Sequence, residues 1–183
     1  MISQLKEIYE YREMIFSLVR RDLRGRYKGS VLGFLWTFIN PLLQLAVYTI
    51  VFSVILKNSI ERYYIYLFVA LVPWMFFSAC ITSGSHCVIA QKDMVRKIYF
   101  PRAVLPISFV TSQFVNMLFS FIIIFIILII SGVGINLQAI VALPLVMVSE
   151  YVVALGITML TAGLTVYFRD LEYILSIISM LWM

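Results

Sequence analysis

Residues Arg20 to Phe52 read RRDLRGRYKGSVLGFLWTFINPLLQLAVYTIVF. Basic residues crowd positions 20–28, and from Gly29 no charge appears until Lys57. The apolar run over residues 31–56 exceeds the ~20 residues a helix needs to cross ~30 Å of hydrocarbon. A basic cluster directly before such a run marks the side of the membrane on which it stays. This junction therefore predicts a membrane-spanning helix whose start faces the cytoplasm, and it orients the rest of the chain.

The composition agrees. Of the 183 residues, 63% are hydrophobic and 13% charged, with a mean hydropathy of +1.02; soluble domains hold ~45–50% apolar residues. The fold class expected is all-α, a polytopic helical membrane protein. The formal net charge of +5 comes from residues at the ends of apolar runs, which favours membrane orientation over nucleic-acid binding.

Upstream, Ile2, Leu5, Ile8, Tyr9, Ile15, Phe16, Val19 and Leu23 share one helical face, with Lys6, Glu7, Glu10, Glu13, Ser17 and Arg21 mostly opposite. Residues 1–30 are read as an amphipathic interface helix and basic junction at the membrane surface. Arg12 interrupts the apolar face but can reach the headgroups. A helix packed on a protein neighbour fits the same pattern.

Downstream, residues 63–90, 103–131 and 139–167 form three more expected spans, and 174–183 begins a fifth. Pro41 and Pro73 interrupt the first two. The segment 91–102, QKDMVRKIYFPR, is charged and ends at Pro101. Twelve of the basic residues fall before span one, between spans two and three, or after span four, against Lys57 and Arg62 on the other side. The N-terminus and segment 91–102 are thus expected in the cytoplasm. The final run is too short to cross, and the chain reads as the N-terminal part of a longer protein.

On the first span Thr37, Asn40, Gln44 and Tyr48 project within an arc of ~80°, with Pro41 and Phe52 at its edge, and Trp36, Tyr48 and Phe52 offer ring faces. A polar stripe should avoid lipid, so it either joins helices by hydrogen bonds or lines a hydrated translocation path. In the fourth span Glu150 shares a face with Ala154, Thr158, Thr161 and Thr165. An intramembrane carboxylate is a functional candidate by default, as a bundle partner, a path residue or a proton carrier. His86, the lone histidine, is expected as a polar residue near the cytoplasmic interface. Cys80 and Cys87, seven apart on one helix, sit ~10 Å apart and cannot form a disulfide; they are expected as packing residues. No phosphate loop, nucleophile elbow or HExxH motif occurs. No catalytic residue, metal site or cofactor is therefore assigned to this chain.

Three stretches carry a resemblance: RDLRGRYKGSVLGFLWTFINPLLQLAVYTIVFS (Arg21–Ser53), VRKIYFPRAVLP (Val95–Pro106) and VYFRDLEYIL (Val166–Leu175). In order and spacing the chain resembles the membrane (permease) subunit of ATP-binding-cassette exporters for polysaccharides and polyol phosphates. The resemblance implies six spanning helices in the full-length protein and a homodimer in the bacterial inner membrane. A separate cytosolic ATPase would bind ATP and Mg, and the substrates would be lipid-linked glycans such as O-antigen, capsule or teichoic acid. It also implies that Lys92, Asp93, Arg96, Lys97, Tyr99 and Arg102 belong to a coupling segment touching that ATPase, although an anionic-lipid patch suits the same charges. The family's later helices and outer gate lie beyond this sequence, and the fragment without them is not expected to transport. A permease for drugs or lipids, a membrane enzyme using Glu150 and His86, and a scaffold are the alternatives.

Overall fold

The structure, a computed structural model, describes residues 2–25, 32–51, 63–132 and 137–182. The helices are α1 (Ile2–Glu10), α2 (Arg12–Gly25), α3 (Trp36–Ile50), α4 (Tyr63–Ser85), α5 (Cys87–Ala90), α6 (Lys92–Lys97), α7 (Val104–Ile130), α8 (Leu137–Tyr167) and α9 (Leu171–Trp182), with a 3₁₀ turn at Gly33–Leu35. No strand occurs among the described residues. Within α4, α7 and α8, residues 65–85, 104–130 and 140–167 are long and apolar enough to cross a membrane. The first expected span is described only through α3. Its end, with Phe52, lies outside the described residues, as do Gly29, Ser30 and the basic residues Arg26, Lys28, Lys57 and Arg62.

α4 is the centre of the bundle, packed against α3, α7, α8 and α9. Phe68, Val72, Phe76 and Cys80 recur every four residues along α4 and are buried, as are Val110, Met117, Phe121 and Ile124 on α7. Apolar packing between helices in lipid gains little from water release, so close contact and interhelical hydrogen bonds carry the association. The backbone shows how close α4 and α8 come. A Cβ at Gly84 would lie 2.8 Å from Thr158 Cγ2 and 3.4 Å from the Phe109 ring. Beside that contact the Thr158 hydroxyl donates to the Cys80 carbonyl across the helix pair at 3.1 Å.

α7 ends where Gly132 takes a positive φ of 62°, the left-handed conformation glycine adopts without cost after a helix. The second expected span is shorter than its apolar run: α4 stops at Ser85, His86 forms a turn and α5 follows. Thr82–Ser83–Gly84–Ser85 supplies the polar and small residues that permit this break. Both cysteines are buried and outside any disulfide, as packing residues should be.

The N-terminal segment differs from a single surface helix. It divides at Tyr11 into α1 and α2, and α2 packs along α7. Tyr11, Met14, Ile15 and Leu18 meet a second core with Cys87, Phe100, Val104, Leu105 and Ala162, while Tyr9 and Phe16 stay exposed. The apolar face is thus shared between protein and surroundings. Arg12 places its guanidinium over the Tyr9 ring, 4.8 Å from the centroid, and 3.8 Å from Glu13 Oε1. Two polar links hold α2 in place. Ser112 Oγ donates to Asp22 Oδ2 at 2.6 Å, and Arg21 Nη2 donates to Gln91 Oε1 at 2.6 Å.

Two outcomes follow. Gly84→Ala should destabilise the protein by ~1–3 kcal/mol through overpacking. Adding Thr158→Ser, which deletes the opposing methyl and keeps the hydroxyl, should restore most of the loss in thermal unfolding of purified protein. Asp22→Ala should remove a charge-assisted bond worth ~1.5–3 kcal/mol and speed hydrogen exchange across residues 12–25, leaving α7 protected.

Candidate functional site: two polar cavities beside α4

The polar stripe of α3 is buried only in part: Gln44 and Tyr48 are half-buried, while Trp36 and Asn40 stay exposed. Thr37 is buried, and Trp36, Thr37 and Asn40 line a cavity of about 490 Å³ with Pro41. Across it stand Val72, Met75, Phe76, Ala79 and Ser83 of α4 and Gln113, Asn116, Met117 and Ser120 of α7. Gln44 and Tyr48 line a second cavity of about 450 Å³ with Trp74, Ser78, Thr82 and Ser83 of α4 and Ser176 and Ser179 of α9. Met75, Ala79 and Ser83 border both, so the two spaces adjoin along one face of α4. Each has the size of ordinary ligand pockets, ~300–1,000 Å³.

α9 forms its wall by pairing antiparallel with α4. Ser78 and Ser179 hydroxyls meet at 2.6 Å, Phe77 and Trp182 stack edge to face with centroids 5.7 Å apart, and His86 Nδ1 lies 2.9 Å from Glu172 Oε2. His86 thus has an acidic neighbour, supplied by a helix more than eighty residues away in the chain. The pair is partly exposed, where such contacts contribute ~0–1 kcal/mol, so it locates the helix ends more than it stabilises them.

Glu150 stands apart. It is half-buried on α8 and lines neither cavity. The threonines sharing its face serve packing: Thr158 bonds α4, and Thr161 and Thr165 donate back to carbonyls of their own helix at 2.9 and 2.7 Å. Its neighbour Tyr151 pairs its hydroxyl with Thr111 Oγ1 of α7 at 2.9 Å. The structure therefore brings Trp36, Thr37, Asn40, Gln44 and Tyr48 together and leaves Glu150 outside the group.

Segment 91–102 gathers at the end of the bundle where α2 lies. Lys92, Asp93, Arg96 and Lys97 are exposed on α6, and Arg102 is exposed beyond it. After α6 the backbone turns extended at Ile98; Tyr99 is 88% exposed, whereas Phe100 is 6% exposed and anchors the segment in the second core. One aromatic holds the loop down and its neighbour is presented outward.

The residues not anticipated are the amides and hydroxyl of α7 and the serines of α9. Gln113, Asn116 and Ser120 follow the i, i+3, i+7 spacing of a single helical face inside a span without charge, and that spacing was the available signal.

The family model described as ABC-2 type transporter, ABC2_membrane, matches residues 13–183. An O-antigen export system permease protein RfbA of Myxococcus xanthus is 36% identical over 182 residues, covering 100% of this chain and 70% of that protein. Two proteins of Klebsiella pneumoniae with the same name are each 30% identical over 169 residues, covering 92% of this chain and 65% of theirs. With its all-helical bundle, its apolar spans and this match over nearly its whole length, the chain belongs to the ABC-2 type transporter family of membrane permeases.

Proposed function

We propose that this chain is the transmembrane subunit of an ATP-driven exporter that moves a lipid-linked polysaccharide of the O-antigen class out of the cytoplasm. The observation that carries the reading is the pair of adjoining cavities along α3 and α4, walled by uncharged amide, hydroxyl and aromatic groups. Hydroxylated sugars cannot enter hydrocarbon without losing their hydrogen bonds to water, and such walls replace those bonds. In this reading the corridor follows Trp36, Thr37, Asn40, Gln44 and Tyr48, continues toward Phe52, and Glu150 serves the bundle.

The names of the relatives support polysaccharide as cargo. Family membership supports a separate ATPase that supplies ATP and Mg chemistry and docks on segment 91–102, with a second permease copy completing the corridor. The positive-inside distribution supports an inner-membrane protein with a cytoplasmic N-terminus. ATP-driven closure would act through the loop anchored by Phe100, and it can shift the corridor only by contacting its two states differently.

In the complete protein, Asn40→Leu and Gln44→Leu should each reduce surface polysaccharide about two- to tenfold at unchanged permease abundance, the loss of a hydrogen bond worth ~0.5–1.5 kcal/mol. Normal export by both variants would sink the corridor. Tyr99→Asp should lower the amount of ATPase that copurifies with the permease severalfold, without changing its thermal unfolding. Undiminished copurification would move the docking surface elsewhere.

A further inference from the structure

The first cavity is built asymmetrically, and its asymmetry matches a particular chemistry. Its α4 wall is apolar at Val72, Met75 and Phe76, while Asn40 on one rim and Gln113, Asn116 and Ser120 on the other carry neutral hydrogen-bonding groups. No charged side chain lines this cavity or the adjoining one among the described residues. The basic residues of α6 lie at the end of the bundle instead. A carboxylate, sulfate or phosphate brought here would be desolvated without a cation, at a cost of several kcal/mol.

An uncharged pyranose has the complementary form. One ring face presents C–H groups and the ring edge presents hydroxyls that donate and accept. Amides suit that edge because each offers both functions. One wall group is also short of a partner: Asn116 Oδ1 is buried and accepts no hydrogen bond, and an unmet buried acceptor costs ~1–3 kcal/mol. Rotation of the amide about its last torsion exchanges its oxygen and nitrogen, so a sugar hydroxyl can meet either.

We propose that this cavity, within a single permease copy, is a binding site for an uncharged sugar residue, held by Gln113, Asn116 and Ser120 of α7 opposite Asn40 of α3. The inference deepens the export reading and rests on it for the cargo, but it assigns α7 a role in substrate choice that the α3 stripe does not carry. The exported glycan is then neutral where it passes this point.

The test uses the full-length permease with its ATPase, in a background where Trp36, on the cavity wall, is the sole tryptophan. Its fluorescence is followed during titration with maltotetraose, a neutral probe, or tetragalacturonate, an acidic one of the same length. The expected result is a saturable response to maltotetraose and none to tetragalacturonate. Gln113→Leu and Asn116→Leu should each raise the maltotetraose Kd about tenfold. Ser120→Ala should raise it about threefold and, as the smallest change, keeps the wall testable if a leucine variant does not assemble. Equal responses to both probes, no saturable response to either, or unchanged affinity in the variants that assemble would overturn the site. Reduced export by Asn40→Leu alongside such a negative titration would leave the exporter standing without this site. Normal export by Gln44→Leu alongside the expected titration would keep the site and remove the corridor beyond it.

Discussion

In hydrocarbon a polar group has no water to fall back on, and every hydroxyl or amide must find a protein partner or an enclosed aqueous space. This constraint sorts the polar residues of the bundle into two kinds. Thr158, Thr161 and Thr165 are consumed locally by carbonyls, and their side of α4 is closed to the point where a glycine must stand at Gly84. Asn40, Gln44 and Asn116 are too long and too many to be consumed in this way, and around them the helices part into cavities.

α4 is the boundary between these two regimes. Its α8 side is held by Gly84 packed against the Thr158 side chain and by the Thr158 hydrogen bond, and its α3 side borders polar groups around open space. A helix so placed can be steadied on one face while the other changes shape. The charged end of the bundle adds a third layer, in which α2 is bonded to α7 and to Gln91 and Phe100 pins the loop between α6 and α7. That layer ties the basic surface to the base of α7, one wall of the first cavity.

Much of this was legible in the amino acids, because the bilayer imposes length and polarity rules that read directly. The spans of α7 and α8 follow from apolar runs, and the α3 stripe follows from the spacing of Thr37, Asn40, Gln44 and Tyr48. The N-terminal segment was harder. Periodicity identifies an apolar face but not what covers it, and Tyr11 divides a helix that the pattern reads as continuous. Glu150 stands out in the sequence as a charge, whereas Gln113, Asn116 and Ser120 carry none, although they stand where the cavity is. His86 and Glu172 could be paired only by folding, since nothing local joins them.

The pairing of α4 with α9 has a mechanical meaning. From the His86–Glu172 contact to the Phe77–Trp182 contact the two helices advance by nearly equal amounts, ~14 and ~15 Å at 1.5 Å per residue, with the serine bond between. The three contacts join α9 along its length to the part of α4 that begins at Phe77. The second cavity lies between the α4–α9 pair and α3, so its width follows the separation of α3 from that pair.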